Sequence, residues 1–274
     1  MAKLGVIAGG GTLPGQIIAA CRETGRDYFV LAFEDCADPG PIEDSPVQWI
    51  RMAGISKALD AARREGVEEL ILVGPIPRPS VMELMRDLRS AKFLAKVGTR
   101  ILGDDTILSA VVRELEDGEG FRVIGPEALL TDILATPGSF GAIEPDENEI
   151  ADIGRGLAVI QTLGQLDIGQ ATIVQNGTIL GVEAAEGTDR LIERCAEFVV
   201  EGTPGGVLVK AAKPTQERRI DLPAVGVSTI HNISKAGLRG LAVEAGSVLV
   251  VDRAAMIAAA DAAGVFLFGA SPEN

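Results

Sequence analysis

The first part of the chain alternates short apolar runs with segments of helical periodicity. The runs have the length of buried strands, and the segments between them place apolar residues three or four positions apart. The predicted strands are 4–8, 28–33, 69–73 and 121–124, and the predicted helices are 15–23, 55–65, 81–97 and 106–117. Strands and helices that alternate in this way predict a parallel, right-handed, doubly wound sheet, so we expect an α/β domain over residues 1–134.

The pattern changes after residue 134. Residues 135–148 are rich in turn formers and acids, and we expect them to be a linker. Beyond them we predict helices at 149–163, 189–200 and 229–236, and strands at 171–175, 178–182, 206–210, 240–243 and 248–251. Because 274 residues exceed the usual size of one domain, we predict a second, distinct α/β domain over residues 149–274.

The composition supports well-formed cores and argues against two classes of partner. Hydrophobic residues make up 47% of the chain, which also contains 33 glycines. The 25 Lys and Arg residues are outnumbered by 39 Asp and Glu residues, which gives a net charge of −14. Nucleic acids and anionic membranes are bound by an excess of positive charge, so the overall charge favours neither as a partner.

The cysteines, the histidine and the N-terminus limit the kinds of catalytic site and the cellular location that we expect. The three cysteines are far apart, which excludes zinc-finger spacing. His231 is the only histidine, so a Ser–His or Cys–His mechanism would have to use it, and we expect a surface residue. Met1 leads into the first strand without a signal peptide, and no apolar run reaches the ~18 residues of a membrane-spanning helix. We therefore expect a cytoplasmic protein with reduced cysteines.

A glycine turn, residues 9–14, joins the first strand to the first helix. Backbone N–H groups and the helix dipole can receive a phosphate at such a position. The candidate substrate-binding residues here are Gly10, Gly11, Thr12 and Leu13. The dinucleotide fingerprint has glycine where this chain has Pro14, so a tight strand-to-helix turn without a ligand is the alternative.

Two pairs of polar residues lie beside predicted turns. Asp104 and Asp105 precede a helix, where one of them would suffice to cap the first free N–H groups. Asp167 and Gln170 flank a glycine just before a strand, and Asp167 bonding to its own backbone is the alternative to a functional role. All four are candidate substrate-binding residues.

Another polar group follows the strand at 178–182. Thr188 begins a helix and is expected to cap it. Glu183 ends an otherwise apolar strand, where an unpaired carboxylate costs stability, and capping does not explain it. We therefore expect a functional role for this group, whose other members are Glu186, Gly187 and Asp189.

The segment 210–223 carries cationic, amide and carboxylate side chains. Those suited to phosphate are Lys210, Lys213, Gln216 and Arg219. Arg219 and Asp221 are two residues apart, so in an extended chain their side chains point to the same side. Either the two form an ion pair only, or Arg219 binds phosphate while Asp221 binds a cation or positions water.

These motifs, in this order, resemble the LpxI-type UDP-2,3-diacylglucosamine pyrophosphatases, enzymes of lipid A biosynthesis in Gram-negative bacteria. The motifs that carry the resemblance are residues 8–14, 103–105, 167–170, 182–189 and 213–226. The family pattern has Asp where this chain has Glu217, which keeps the charge. The resemblance runs nearly from end to end and implies a Rossmann-like N-terminal domain, a C-terminal α/β catalytic domain and a lipid held between them.

The resemblance also implies an activity. The expected reaction is Mg²⁺-dependent hydrolysis of UDP-2,3-diacylglucosamine to UMP and 2,3-diacylglucosamine 1-phosphate (lipid X), with water attacking the α phosphorus. Phosphoryl transfer depends mainly on positioning and charge neutralisation. The catalytic candidates are Asp221, Arg219, Lys213, Glu183, Asp189 and Gln216. The candidate magnesium ligands are Asp221, Glu183, Glu186 and Asp189. Further substrate contacts are expected from Asp104, Asp105, Asp167, Gln170, Glu186, Gly187, Thr188 and Lys210.

Two functions of other classes remain open. The glycine turn is also typical of nucleotide-dependent oxidoreductases. An apolar stripe within 81–97 favours a non-enzymatic lipid carrier or a contact with acyl chains, and ordinary helix core is its alternative. The stripe consists of Met82, Leu84, Met85, Leu88, Phe93 and Leu94. For the hydrolase we also expect a homodimer and a peripheral contact with the cytoplasmic face of the inner membrane.

Overall fold

The computed structural model of the protein describes residues 1–51, 54–76, 104–200, 202, 205–214 and 216–271, with the backbone alone for 104–107. The predicted helix at 81–97 and its apolar stripe lie outside the described residues. The chain divides into two compact units. The first is Met1–Thr131 with Glu217–Asp221, and the second is Asp132–Gln216 with Leu222–Asn274.

The first unit is built on a five-stranded parallel sheet with the order β3-β2-β1-β4-β5. The strands are β1 (Leu4–Ala8), β2 (Tyr28–Phe33), β3 (Val47–Ile50), β4 (Glu69–Val73) and β5 (Arg122–Val123). The helices are α1 (Leu13–Thr24), α2 (Ile55–Arg64) and α3 (Asp104–Arg113), and a helical turn, Glu114–Gly118, follows α3. This arrangement confirms the predicted parallel α/β sheet.

The burial of each strand explains whether it could be predicted from the hydrophobic pattern of the sequence. Every residue of β1 is buried, since both faces of the central strands are covered, and the strand is therefore a continuous apolar run. The edge strand β3 was not predicted. Of its four residues only Ile50 is buried and Trp49 is exposed, so it lacks the apolar run of a central strand.

The second unit contains a mixed six-stranded sheet with the order β6-β13-β11-β9-β7-β8, and a separate parallel ladder of β10 and β12. Its strands are β6 (Gly138–Ser139), β7 (Ala171–Gln175), β8 (Thr178–Val182), β9 (Val207–Lys210), β10 (Ala224–Val225), β11 (Gly240–Glu244), β12 (Leu249–Val250) and β13 (Phe266–Ala270). Its helices are α4 (Glu147–Gly164), α5 (Thr188–Cys195), α6 (Val227–Lys235) and α7 (Arg253–Ala263). The prediction of a distinct C-terminal α/β fold is confirmed.

Several elements of the second unit escaped the sequence pattern, among them α7 and β13. The helix α7 is mostly alanine, and only Met256 and Ala260 in it are buried, so it lacks a clear apolar stripe. The strand β13 is almost wholly buried, but it contains a glycine and follows this undetected helix. Periodicity alone therefore gave no signal in this part of the chain.

Residues 135–148, which we expected to be a linker, lie within the second unit. The N–H of Ala135 donates to the carbonyl of Val248 over 2.9 Å, and β6 pairs antiparallel with β13. Asp146 caps α4 through a reciprocal capping box with Glu149. The turn residues and acids here form an edge strand and a helix start.

Five residues of the C-terminal half, Glu217–Asp221, belong to the first unit. Within this segment, Ile220 packs against a buried cluster that includes Phe121 and Val123. The chain therefore passes between the two units at 131/132, at 216/217 and at 221/222.

Candidate functional site

Lys210, the last residue of β9, has its ammonium group buried within the second unit. The residue is 7% exposed, and its Nζ donates 3.0 Å hydrogen bonds to the hydroxyl of Thr188 and to the carbonyl of Ala224. Burial lowers the pKa of Lys210, and the negative charges of Glu183 and Asp189 oppose that change. The ammonium therefore connects β9 to the start of α5 and to β10.

Glu183, directly after β8, is held by two donors. The residue is 5% exposed, and its carboxylate accepts the N–H of Gln170 at 3.0 Å and the hydroxyl of Thr188 at 3.0 Å. These bonds explain how a carboxylate is tolerated beside an apolar strand. The expected capping role of Thr188 is wrong, because Gly187 is the N-cap residue of α5 and the Thr188 hydroxyl bonds to Glu183 instead.

A second set of contacts joins the turn after α4 to the segment after β9. Lys213 Nζ lies 2.8 Å from Asp167 Oδ1, and Gln216 Nε2 donates to Gln170 Oε1 over 3.2 Å. The N–H of Lys213 donates to Gln216 Oε1 over 3.0 Å. The structure thus brings together four predicted site residues whose two pairs are each separated by 46 positions in sequence.

Gly169 allows this turn to approach Glu183 closely. Its φ is +58°, in the left-handed region, and a Cβ at this position would collide with the carbonyl oxygen of Glu183. Only glycine satisfies both requirements without strain. The same turn presents the N–H of Gln170 to the Glu183 carboxylate.

The other two predicted carboxylates of the second unit have different partners. Asp189, in the first turn of α5, is exposed and accepts a 2.9 Å hydrogen bond from Asn232 Nδ2. Glu186 Oε1 accepts 3.1 Å and 3.0 Å bonds from Nε and Nη2 of Arg194. Bonding to its own backbone N–H, and then to Arg194, lowers the pKa of Glu186. Arg194 was not among the predicted site residues, since a basic residue in the last helical turn is an ordinary feature.

In the first unit, the Arg219 guanidinium contacts two carboxylates. Its Nε and Nη2 donate to the two oxygens of Glu217 over 2.8 Å and 2.9 Å, and its Nη1 donates to Glu116 Oε1 over 2.9 Å. The bonds to Glu217 come first among the causes that raise the pKa of Arg219, and they lower the pKa of Glu217. Arg219 thus pairs with Glu217 and Glu116 rather than with Asp221. Glu116, which lies 103 positions before Arg219, was not among the predicted site residues.

Asp221 ends a turn and is partly exposed. Its N–H donates to the carbonyl of Glu217 over 3.0 Å, and the N–H of Ile220 donates to the same carbonyl over 3.2 Å. The premise that Arg219 and Asp221 share one side of an extended chain is therefore wrong, because the backbone folds back on itself between 217 and 221.

The glycine turn packs against the loop that follows β4. The N–H of Gly10 donates to the carbonyl of Pro75 over 2.9 Å, so this donor already has a protein partner. Gly11 and Thr12 are exposed, and Leu13 is buried as the first residue of α1. Gly11 and Thr12 are therefore the predicted residues of this turn that are open to solvent.

No three of the Asp, Glu, His and Cys side chains in the described parts of the chain form a group that could hold a metal ion. Asp104 and Asp105 begin α3, and their side chains are outside that description. Mg²⁺ needs only one or two carboxylates when substrate phosphates and water complete its coordination. Glu183 and Asp189 are the predicted ligands of the second unit whose charges both act on Lys210.

Comparison with known families covers almost the whole chain. The model of the LpxI N-terminal domain matches residues 3–133, and that of the LpxI C-terminal domain matches residues 136–268. A relative from Caulobacter vibrioides (strain ATCC 19089 / CIP 103742 / CB 15), named UDP-2,3-diacylglucosamine pyrophosphatase LpxI, is 40% identical over 281 residues. That match covers 100% of this chain and 99% of the relative.

The chain is only weakly similar to a solved structure. The biotin carboxylase domain of the Hydrogenobacter thermophilus 2-oxoglutarate carboxylase is 14% identical, with coverage of 72% of this chain and 41% of that chain. Its TM-score of 0.22 is too low to relate the two folds.

Proposed function

We propose that this chain, which belongs to the LpxI family, hydrolyses the pyrophosphate bond of UDP-2,3-diacylglucosamine. The full-length match to the pyrophosphatase from Caulobacter vibrioides carries the proposal. The products are UMP and 2,3-diacylglucosamine 1-phosphate. Several of the polar residues predicted to serve this chemistry contact one another, namely Glu183, Thr188 and Lys210, Lys213 with Asp167, and Gln216 with Gln170, and such order suits a reaction that depends on positioning.

The reaction needs a positioned water and neutralised phosphate charge. The water oxygen bonds to the α phosphorus and its protons are released to solvent, the bond from this phosphorus to the bridging oxygen breaks, and the lipid phosphate leaves with the bridging oxygen. In this proposal Asp221 orients the water, Lys213 neutralises phosphate charge and Gln216 donates to a phosphate oxygen. The contacts of Lys213 with Asp167 and of Gln216 with Gln170 support these roles, because they restrict both side chains before substrate binds.

Magnesium dependence belongs to the same proposal. A bound Mg²⁺ neutralises charge on the transferring phosphoryl group. In this proposal Glu183 and Asp189, whose charges both act on Lys210, would hold the ion. Thr188 orders the site by bonding to both Glu183 and Lys210.

The diacyl substrate also bears on where the protein acts. The described helices include none with the length and apolar character needed to cross a bilayer. A substrate with two acyl chains resides in a membrane, so we propose a peripheral contact with the cytoplasmic face of the inner membrane. Assembly as a homodimer stays a prediction.

The test is hydrolysis of UDP-2,3-diacylglucosamine in ¹⁸O-water by the purified full-length protein with Mg²⁺. We expect UMP and the lipid phosphate in equal amounts, with ¹⁸O in UMP. Label in the lipid phosphate would instead place the attack on the other phosphorus. UDP-N-acetylglucosamine, which lacks the acyl chains, is the matched control substrate and should be cleaved far more slowly.

The same preparation separates the two alternative functions. An oxidoreductase would bind NAD(P) or a flavin and change its absorbance during turnover. A lipid carrier would bind the UDP-lipid and release it intact. Binding without cleavage in the presence of Mg²⁺ would therefore overturn the hydrolase proposal.

A further inference from the structure

The Glu217–Asp221 segment contacts the rest of the first unit through Ile220, which packs against the buried cluster with Phe121 and Val123, and through a polar contact of Arg219 with Glu116. One carboxylate oxygen of Glu116 accepts the N–H of Val123 in β5 at 3.1 Å and also accepts from Arg219 Nη1 at 2.9 Å. Glu116 lies in the helical turn Glu114–Gly118, and Val123 is paired in the parallel sheet. The carboxylate is therefore fixed by a sheet backbone group before it meets the arginine.

Arg219 connects Glu116 to the rest of the segment through its bonds to Glu217. It binds Glu217 through two parallel side-chain bonds, and its own N–H donates to Glu217 Oε1 over 3.2 Å. Glu217 in turn accepts the N–H of Asp221 at its carbonyl. The bonds between Glu217, Arg219 and Asp221 are all internal to the segment and would move with it. The bond to Glu116 joins the same charged group to another part of the chain.

The cluster of Arg219, Glu217 and Glu116 restricts the position of the segment more than it stabilises the fold. The side chains of Arg219, Glu217 and Glu116 are 38%, 16% and 30% exposed, and partly exposed ion pairs contribute little to folding. A guanidinium held by carboxylates on two sides has nevertheless little freedom to rotate. The cluster is thus suited to fix the turn in which Asp221 stands.

We propose that Glu116 is a positioning residue for Asp221, acting through Arg219. The inference rests on the proposed function, in which Asp221 orients the attacking water. Residues 217–221 belong to the first unit, whereas Gln216 before the segment and Leu222 after it belong to the second unit. A residue of the N-terminal half therefore sets the position of a catalytic group carried by the C-terminal half.

The first experiment compares Glu116→Gln with Asp117→Asn. Gln keeps the shape and the oxygen that accepts from both Val123 and Arg219, but it removes the negative charge, so the bond to Arg219 becomes a weaker, neutral one. Asp117 is exposed in the same helical turn, so its variant makes the same charge change away from the cluster. Because small misplacements of catalytic groups can cost up to about 100-fold, we expect Glu116→Gln to lower kcat roughly tenfold or more, with KM nearly unchanged. Asp117→Asn should match the wild type.

A double-mutant comparison separates positioning from a general structural role. If Glu116 acts through Asp221, Glu116→Gln should have no further effect on the residual rate of Asp221→Ala. Equal fold losses in the wild-type and Asp221→Ala backgrounds would contradict the inference. So would a Glu116→Gln enzyme with wild-type kcat.

Hydrogen exchange does not depend on enzyme turnover, so it distinguishes failure of this inference from failure of the proposed function. Hydrogen exchange of the peptide that covers residues 217–221 should speed up in Glu116→Gln and stay unchanged in Asp117→Asn. Unchanged exchange in Glu116→Gln overturns the inference, even if the wild type hydrolyses the substrate. An inactive wild type would overturn the proposed function and, with it, the role of Glu116 in catalysis.

Discussion

The hydroxyl of Thr188 donates a 3.0 Å hydrogen bond to the carboxylate of Glu183. The same hydroxyl oxygen accepts the ammonium of Lys210 at 3.0 Å, so one small side chain connects a buried cation to a buried anion. Glu183 and Lys210 are 5% and 7% exposed, so bulk water cannot readily replace either bond. Thr188 is therefore needed to satisfy both groups.

We predict that Thr188→Val lowers both stability and activity. Valine keeps the shape of the side chain but leaves two charged groups each short of one partner, which costs about 1–3 kcal/mol. Thr188→Ser keeps the hydroxyl and is the control, with an expected loss of about 1 kcal/mol or less for the missing methyl group. The measurement is the free energy of unfolding in urea, alongside kcat. A valine variant as stable as the wild type would show that other groups satisfy this pair.

Replacement of Asp221 by alanine should abolish turnover and leave binding of the uncleaved UDP-lipid largely intact. A group that acts mainly on the transition state lowers kcat with little effect on affinity. We expect at least a ~100-fold loss of kcat, equivalent to about 3 kcal/mol. The measurements are kcat, substrate affinity and the thermal midpoint. A variant that melts much lower but keeps its rate within about tenfold would assign Asp221 a structural role and leave Glu183 and Asp189 as the catalytic candidates.

Hydrolysis should require a divalent cation. The expectation rests on the Glu183 and Asp189 carboxylates, whose charges both act on Lys210, and on the charge that phosphoryl transfer must neutralise. We predict that EDTA stops turnover and that excess Mg²⁺ restores it. Asn232→Ala removes the donor to Asp189. It should raise the Mg²⁺ concentration needed for half-maximal rate more than it lowers the maximal rate. Full turnover by metal-stripped protein would overturn the prediction.

Gly169→Ala should destabilise the second unit and impair catalysis. The substitution forces a Cβ into the left-handed region and against the Glu183 carbonyl, so the backbone of Glu183 must move. Gly177, with φ of +74° and no neighbour within 4 Å of a new Cβ, is the matched control. Gly177→Ala should cost only the backbone strain of about 1–2 kcal/mol. Urea unfolding and kcat of both variants test this, and equal losses would contradict a role for the close approach.

We predict that the stability of the protein depends on pH through the Glu217 carboxylate. Arg219 holds the pKa of Glu217 below its ordinary value of 4.5. The resulting stability is present above pH 4.5 and is lost as the pH falls through the lower pKa of the folded protein. The difference in thermal midpoint between wild type and Glu217→Gln should therefore be largest near neutrality and shrink in acid. Since the pair is partly exposed, we expect about 1 kcal/mol or less.

The control for that experiment is Glu23→Gln, on the exposed face of α1. It removes one carboxylate from the same unit without breaking an ion pair at Arg219. Its difference from the wild type should be small at every pH. A Glu217→Gln difference that does not change with pH would show that the ion pair with Arg219 does not stabilise the fold.

Local patterns were sufficient for much of the fold. The strands β1, β2 and β4 could be predicted because residues buried on both faces form apolar runs that are visible in sequence. The Rossmann-like and C-terminal α/β regions followed from the order of such elements. Failures occurred where an element is weakly buried or poor in large side chains, as in β3 and α7.

Part of the candidate site was also accessible from the sequence. A carboxylate at Glu183 and cations at Lys210 and Lys213 stand out because charged residues are rarely placed beside apolar strands without a reason. The glycine between Asp167 and Gln170 was also visible in the sequence, whereas its left-handed backbone conformation was not predicted. The residue types and the motifs that relate this chain to its family are properties of the sequence alone.

The partners of those residues were decided only by the tertiary structure. Arg219 is two positions from Glu217 and from Asp221 in sequence, yet its guanidinium binds the first of them and also Glu116, 103 positions away. In an extended chain the side chains of Arg219 and Asp221 would lie on the same side. The turn at 217–221 removes this relationship, and no local sequence pattern predicts the turn. Residue type and spacing determine which charges the chain carries. Which of them meet is set by long-range packing, because hydrogen bonds and ion pairs depend on distances of a few ångströms that sequence separation does not fix.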